Sequence, residues 1–151
     1  GNTVRFRLPD TEVVYDDLRH GAQLQKPSEK CGDFSLRDRK GQRTYQLACV
    51  CDDIRNGVDL VVRGEDILFS TGRQIQLFKT LDAKPPHFYH HGLLCDETGR
   101  KLSKRQRSES ISALREAGTS AEEIIGRSAF EGGLIDRHEP MVAAQAMGLI
   151  R

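Results

Sequence analysis

Between Tyr45 and Leu94 the apolar residues change rhythm three times, and this constrains the fold more than any other feature of the chain. Apolar residues at 45, 47, 48, 50, 51 and 54 have helical spacing, and Gly57 closes the run. The next stretch, Val58-Asp59-Leu60-Val61-Val62-Arg63, is short and β-branched, which predicts a buried strand of a parallel sheet. Ile75, Leu77, Phe78 and Leu81 then supply the inner face of a second helix, with Ser70-Thr71 as its cap and Pro85-Pro86 as its stop. His87 to Leu94 reads as the following strand. Helix, strand, helix, strand is the order of an α/β domain built from parallel strands and helices.

The flanks differ from this centre. Val4-Arg5-Phe6-Arg7-Leu8 alternates apolar and charged residues, the period of a half-buried strand. Pro9-Asp10 makes a turn from which Thr11 to Asp16 returns as a second strand. Asp33 to Arg37 is a third, ended by the polar turn Asp38-Arg39-Lys40-Gly41. Towards the C-terminus, Ile111, Leu114 and Ala117 are spaced as a helix that Gly118 stops. Thr119 to Glu123 opens another, running through Ile124, Ile125 and Ala129 to Gly132-Gly133, and Glu139 to Met147 is a third. The expected division is residues 1–105 as the α/β part and 106–151 as a small helical extension.

Charge narrows the functional classes. Lys and Arg number 23 against 22 Asp and Glu, a formal net charge of +1, so a uniformly cationic coat is excluded and any nucleic-acid contact must come from local patches. No apolar run approaches the roughly 20 residues of a bilayer helix, so no membrane partner is expected. Gly1 to Arg5 lacks the apolar core of a signal peptide, which leads us to expect a cytoplasmic protein with reduced thiols. The cysteines at 31, 49, 51 and 95 form no C-x-x-C pair. His90-His91 with Cys95 could be read as the remnant of a zinc pattern, but buried thiols are the plainer reading, and no protein-bound zinc is expected.

Two groups of residues could carry chemistry. In the loop Glu97 to Arg107, the cations Arg100, Lys101, Lys104, Arg105 and Arg107 crowd together, with Gly99 giving backbone freedom and Ser103 a hydroxyl. Such a loop can wrap a polyphosphate, because ammonium groups offset the charge that develops as a phosphoanhydride breaks. The alternative is a solvated basic turn, and the spacing is not that of a Walker A loop. The second group is Thr44-Tyr45-Gln46-Leu47-Ala48 with Val61-Val62-Arg63-Gly64-Glu65-Asp66. Arg63 ends an apolar strand, at the edge where open α/β sheets bind ligands. An arginine there can hold a carboxylate bidentately, or it can be a structural ion pair with Glu65, Asp66 or Asp53.

These motifs occur in a telling order. Asp33-Phe34-Ser35-Leu36-Arg37, Thr44 to Asp53, Val61 to Asp66, Ser70-Thr71-Gly72-Arg73-Gln74-Ile75 and Lys101-Leu102-Ser103-Lys104-Arg105 together resemble the glutamyl-tRNA synthetase family of class I. The last matches that family's K-[ML]-S-K-[SR] signature, and the likeness runs from about residue 3 to about 135. The short tail after Arg105, with Ile111 to Gly118, is similar to the truncated glutamyl-Q tRNA(Asp) branch, which attaches glutamate to a queuosine base. The family's H-[IL]-G-H signature has no counterpart, and His90-His91-Gly92 lies in the wrong half of the pattern to replace it.

The resemblance implies the second half of a Rossmann-like nucleotide-binding domain, preceded by short β strands and followed by a small helical extension. It implies a ligase that activates glutamate with ATP to glutamyl-adenylate and passes the acyl group to tRNA, or to the queuosine of tRNA-Asp. By the same resemblance Tyr45, Arg63 and Cys49 would bind glutamate, with Arg63 on its side-chain carboxylate and the Cys49 thiol a weak contact. Leu93 and Leu94 would read adenine, while Lys101, Ser103 and Lys104 would bind the phosphates. Lys104 and Lys101 would be the catalytic residues, and Mg²⁺ would arrive with ATP. Expected partners are glutamate, ATP, tRNA, and either the missing N-terminal half or a second copy. A non-catalytic tRNA-binding or regulatory fragment, resting on the basic cluster with Arg115 and Arg127, is the competing expectation.

Overall fold

The computed structural model describes residues 1–93 and 110–149. It divides into two compact units, Gly1–His91 and Gly92–Arg151. The first unit holds strands β1 (Val4–Phe6), β2 (Val13–Asp17), β3 (Gly21–Gln25), β4 (Phe34–Arg37), β5 (Leu60–Gly64) and β6 (His87–His91). Its helices are α1 (Pro27–Lys30), α2 (Tyr45–Asn56) and α3 (Thr71–Thr80), the last entered through a 3-10 turn at Glu65–Ser70.

The central sheet is mixed, with strand order β3-β2-β6-β5. β6 lies parallel to both β2 and β5, and β3 closes one edge antiparallel to β2. Helices α2 and α3 form where the helical spacing predicts them. α2 ends at Gly57, whose φ of 63° is the left-handed conformation that glycine adopts without penalty, and whose N–H reaches the Asp53 and Ile54 carbonyls. α3 is buried along most of its length and separates two apolar clusters. Ile75 packs with Val13 and Phe88 against the sheet, joined by Tyr15 and Val61. Leu77 and Phe78 pack with Val50 of α2 and with Phe6, Phe34 and Leu36 of the β1–β4 ribbon.

Pairing at the N-terminus departs from the sequence reading. β1 does not turn back onto β2; it pairs antiparallel with β4, setting Phe6 opposite Phe34. β2 instead forms a hairpin with β3, a strand the sequence reading does not contain. Gly-Ala-Gln-Leu-Gln is a poor strand former by composition, and it is held by its ladder to β2 rather than by propensity. The expected cap of α3 is also replaced. Ser70 makes no side-chain cap bond; the Gln25 amide oxygen accepts the Gly72 N–H at 2.9 Å. Gly72 allows this approach, since a Cβ there would stand 2.8 Å from the same oxygen. The opposite face of the sheet carries exposed Val14, Leu24, Leu60 and Val62.

The second unit contains α4 (Ile111–Glu116), α5 (Ala121–Glu131) and α6 (Ala143–Met147). Ser110 caps α4 by accepting the Ala113 N–H. Ser120 and Glu123 form a reciprocal capping box on α5. The expected Glu139–Met147 helix begins only at Ala143; Glu139 and Pro140 lie outside it, with their backbone against Gly126 of α5. Among the described residues no helix is long and apolar enough to cross a membrane.

Candidate active site

Parallel strands end together, so β2, β6 and β5 bring Asp17, His90 and Arg63 side by side at the carboxyl edge of the sheet. α3 starts beneath that edge and adds Thr71 and Gln74. The result is a buried polar network: Asp17, His90, Thr71 and Gln74 are all at most 3% exposed. His90 Nδ1 lies 2.5 Å from Asp17 Oδ2. Arg63 donates from three nitrogens: Nε to His90 Nε2 at 2.9 Å, Nη1 to Gln74 Oε1 at 2.6 Å, and Nη2 to Thr71 Oγ1 at 2.8 Å. Gln74 in turn donates to Gln46 Oε1 of α2 at 2.8 Å. The guanidinium also lies over the Phe88 ring, 5.3 Å from its centroid.

The ion pair that the bare sequence allowed for Arg63 does not form with Glu65. That carboxylate stands 3.6 Å from Arg19 and 3.4 Å from His20. Among the described residues the three hydrogen bonds of Arg63 go to neutral acceptors. A guanidinium has five N–H groups, so among the described residues one remains without a partner on each terminal nitrogen. Two parallel donors on separate terminal nitrogens are the fork that receives a carboxylate.

Of the residues expected at this site, Tyr45 and Cys49 lie one turn apart on α2, with Asp53 a turn further. All three are within electrostatic reach of Arg63. A hydrogen bond with the Cys49 thiol, together with partial burial, pushes the Tyr45 hydroxyl above its ordinary pKa. Burial pushes the Arg63 guanidinium down, with Tyr45, Tyr15, Cys49 and Asp53 acting the other way. Leu93 is half-buried and belongs to the second unit. Leu94, Lys101, Ser103 and Lys104 lie outside the described residues.

Gln46 stands in the Thr44–Ala48 group expected here, and Thr71 and Gln74 in a motif of the resemblance, but none of the three has a role at this site from sequence. Asp17 has no sequence signal, and sequence offers His90 only as a metal ligand or as a replacement for the H-[IL]-G-H signature. Both of its ring nitrogens are occupied by Asp17 and Arg63. The sequence trace of Asp17, Arg63 and His90 is a polar residue near the carboxyl end of a strand.

The network should make the fold acid-sensitive. Burial lowers the pKa of His90 more than the Asp17 contact raises it. Burial alone would raise Asp17, but hydrogen bonds from His90 and from the backbone of His20 and Arg19 outweigh it and hold the carboxyl low. Unfolded, these groups take up protons near ~6.5 and ~3.9; folded, each waits for a lower pH. The unfolded state thus binds more protons on acidification. Stability is complete above about pH 6.5, and the His90 part is lost from there downward; the Asp17 part goes as pH falls through its depressed folded value. Melting temperatures across pH 8 to 5 should fall, and His90→Gln should remove the part of the slope that begins near ~6.5. An unchanged slope in that variant would refute the assignment.

Comparison with known proteins agrees with this architecture. Residues 1–146 match the family model of class I (E and Q) tRNA synthetases, catalytic domain, and the chain belongs to that family. It is 45% identical over 148 residues to the glutamyl-Q tRNA(Asp) synthetase of Nitratidesulfovibrio vulgaris, covering 97% of this chain and 45% of that protein. It is 40% identical to glutamate–tRNA ligase 2 of Alkalilimnicola ehrlichii, covering 82% of this chain and 26% of the relative. The crystal structure of a glutamate tRNA ligase from Elizabethkingia meningosepticum superposes with a TM-score of 0.75 at 24% identity, over 95% of this chain and 32% of that one. The chain thus spans less than half the length of these relatives.

Proposed function

We propose that this chain supplies the glutamate-holding and phosphate-neutralising half of a glutamyl-tRNA synthetase-type ligase. The observation that carries the reading is Arg63, whose three nitrogens each donate to a neutral acceptor and whose terminal nitrogens each keep one further N–H without a partner among the described residues. In this reading the side-chain carboxylate of glutamate takes both donors, and Tyr45 adds a hydroxyl contact from α2. The α-carboxylate then attacks the α-phosphorus of ATP, forming glutamyl-adenylate and releasing pyrophosphate. Leu93 and Leu94 frame the adenine. Lys101, Ser103 and Lys104 hold the phosphates, and Lys104 offsets the charge that grows as the bond to pyrophosphate breaks. Mg²⁺ enters with ATP as part of the substrate.

The acyl group passes to a tRNA hydroxyl, or to a hydroxyl of queuosine in tRNA-Asp. The exposed apolar face of the sheet takes the remainder of the ligase fold, since sheets with parallel strands are ordinarily covered on both sides. Such a ligase works in the cytoplasm, where its tRNA is. Residues 1–105 and 106–151 serve as the catalytic and helical parts respectively.

Lys104→Ala tests the reading. In the full-length enzyme, glutamate-dependent pyrophosphate exchange should fall roughly a hundred- to thousandfold, the usual cost of one transition-state donor, while glutamate binding stays intact. Unchanged exchange would remove Lys104 from the mechanism. Loss of glutamate binding in the same variant would show that the loop does something other than neutralise phosphate.

A further inference from the structure

Nothing in the ligase reading accounts for the buried Asp17–His90 pair, which reaches no solvent and stands behind the guanidinium. We propose that Asp17 sets the tautomer of His90, and that His90 in turn sets the rotation of Arg63, so that the site offers only donors and selects a carboxylate over the corresponding amide. This rests on the glutamate-binding reading for its substrate, but not for its geometry.

Arg63 Nε carries one hydrogen and no lone pair to share, so at 2.9 Å His90 Nε2 must be the acceptor. The ring proton is therefore on Nδ1, where Asp17 Oδ2 receives it. Asp17 cannot turn away, because its Oδ1 holds the backbone N–H groups of Arg19 at 3.1 Å and His20 at 3.0 Å. Thr71 Oγ1, 3.3 Å from His90 Nε2, stands on the same side. Gln74 is oriented likewise: its amide nitrogen is used on Gln46, so its oxygen faces Arg63. His90 and Gln74 are thus constrained to present acceptors to the guanidinium, and the two leftover N–H groups, one on each terminal nitrogen, can act as a fork that has no acceptor among the described residues. A carboxylate fills that fork with two oxygens. An amide must turn an NH₂ against one of the donors, which costs a desolvated, unpaired group.

Asp17→Asn isolates the effect without opening a cavity. The Asn Oδ1 keeps the two backbone bonds, so its NH₂ turns to His90 Nδ1. The ring must then accept there and carry its proton on Nε2, facing the Arg63 Nε–H. A buried carboxylate exchanged for its amide can reverse an imidazole in this way while the shape is retained.

Nitrogen-15 NMR of histidine-labelled chain reads the tautomer directly. The expected result at neutral pH is a protonated Nδ1 and bare Nε2 for His90, inverted by Asp17→Asn. A protonated Nε2 in the unsubstituted chain, or no inversion in the variant, would overturn the proposal. In the full-length enzyme, Asp17→Asn should raise the KM for L-glutamate roughly ten- to a hundredfold with a smaller change in kcat, and L-glutamine binding should change little. Inversion of the ring with an unchanged glutamate-to-glutamine ratio would overturn the selectivity. If the unsubstituted enzyme bound no glutamate at all, the functional reading and the selectivity would fall together, and the NMR result would still decide the His90 geometry. His90→Gln serves as the second variant: its amide can accept from Arg63 and donate to Asp17, so it should keep the preference for glutamate. Loss of that preference in a folded His90→Gln protein would count against the mechanism.

Discussion

Arg63→Ala should reduce L-glutamate affinity in the full-length enzyme by a hundred- to ten-thousandfold. Two hydrogen bonds to a charged partner are worth about 1.5–3 kcal/mol each, and each ~1.4 kcal/mol is tenfold in affinity. Arg63→Lys is the sharper companion. It keeps the charge but presents a single rotating ammonium, and it cannot bond His90, Gln74 and Thr71 while also forking a carboxylate. Its loss should therefore approach that of alanine rather than that of the native residue. Calorimetric titration with glutamate, beside circular dichroism to confirm the fold, reads both. Wild-type affinity in Arg63→Ala would remove the foundation of the functional reading. Near-native affinity in Arg63→Lys would show that charge alone matters and the fork does not.

The second large effect lies in the helical unit and concerns stability. Gly126 is buried within α5, and a Cβ there would meet the Glu139 carbonyl oxygen at 1.9 Å and the Pro140 Cα at 3.1 Å. Helix propensity alone favours alanine over glycine by about 1 kcal/mol. Overpacking costs about 1–3 kcal/mol, and here the obstacle is backbone rather than a side chain that can swing away. The crossing segment is also pinned, since the Met141 N–H bonds the Glu122 carbonyl at 3.0 Å. The clash should win. Gly126→Ala should lower the melting temperature of this unit by several degrees, at roughly 4–8 °C per kcal/mol for a small domain. A rise in melting temperature would mean that propensity dominates and that the Glu139–Pro140 crossing is loose.

The parts of the fold that could be read from sequence share one property: their signals are local. Helix α2 announces itself by apolar spacing and by Gly57, both within one segment. Strand β5 is a β-branched run between helices, and α5 carries its own capping box. The failures are equally instructive. β3 has only Leu24 to mark it, and that side chain is exposed, so its strand state comes from pairing with β2. The cap of α3 comes from Gln25, 47 residues upstream, and displaces the serine standing at the obvious position. Alternation shows that Val4 to Phe6 is a strand, but not whether its partner is the next strand or one beyond.

The candidate site divides in the same way. Arg63 and Tyr45 are legible because each sits at a recognisable place in its own element, a strand end and a helix start. The Asp17–His90 bond joins residues 73 apart, and no periodicity within either segment reports on the other. Local pattern thus determined most of the helices and strands, though not β3, and which side chains stand at their ends, because propensity and capping act over a few residues. Only the tertiary structure decided which strand ends meet, which ring nitrogen carries the proton, and how many donors of Arg63 are left for a ligand. Those are consequences of parallel strands finishing at a common edge, where distant residues become neighbours and water is excluded.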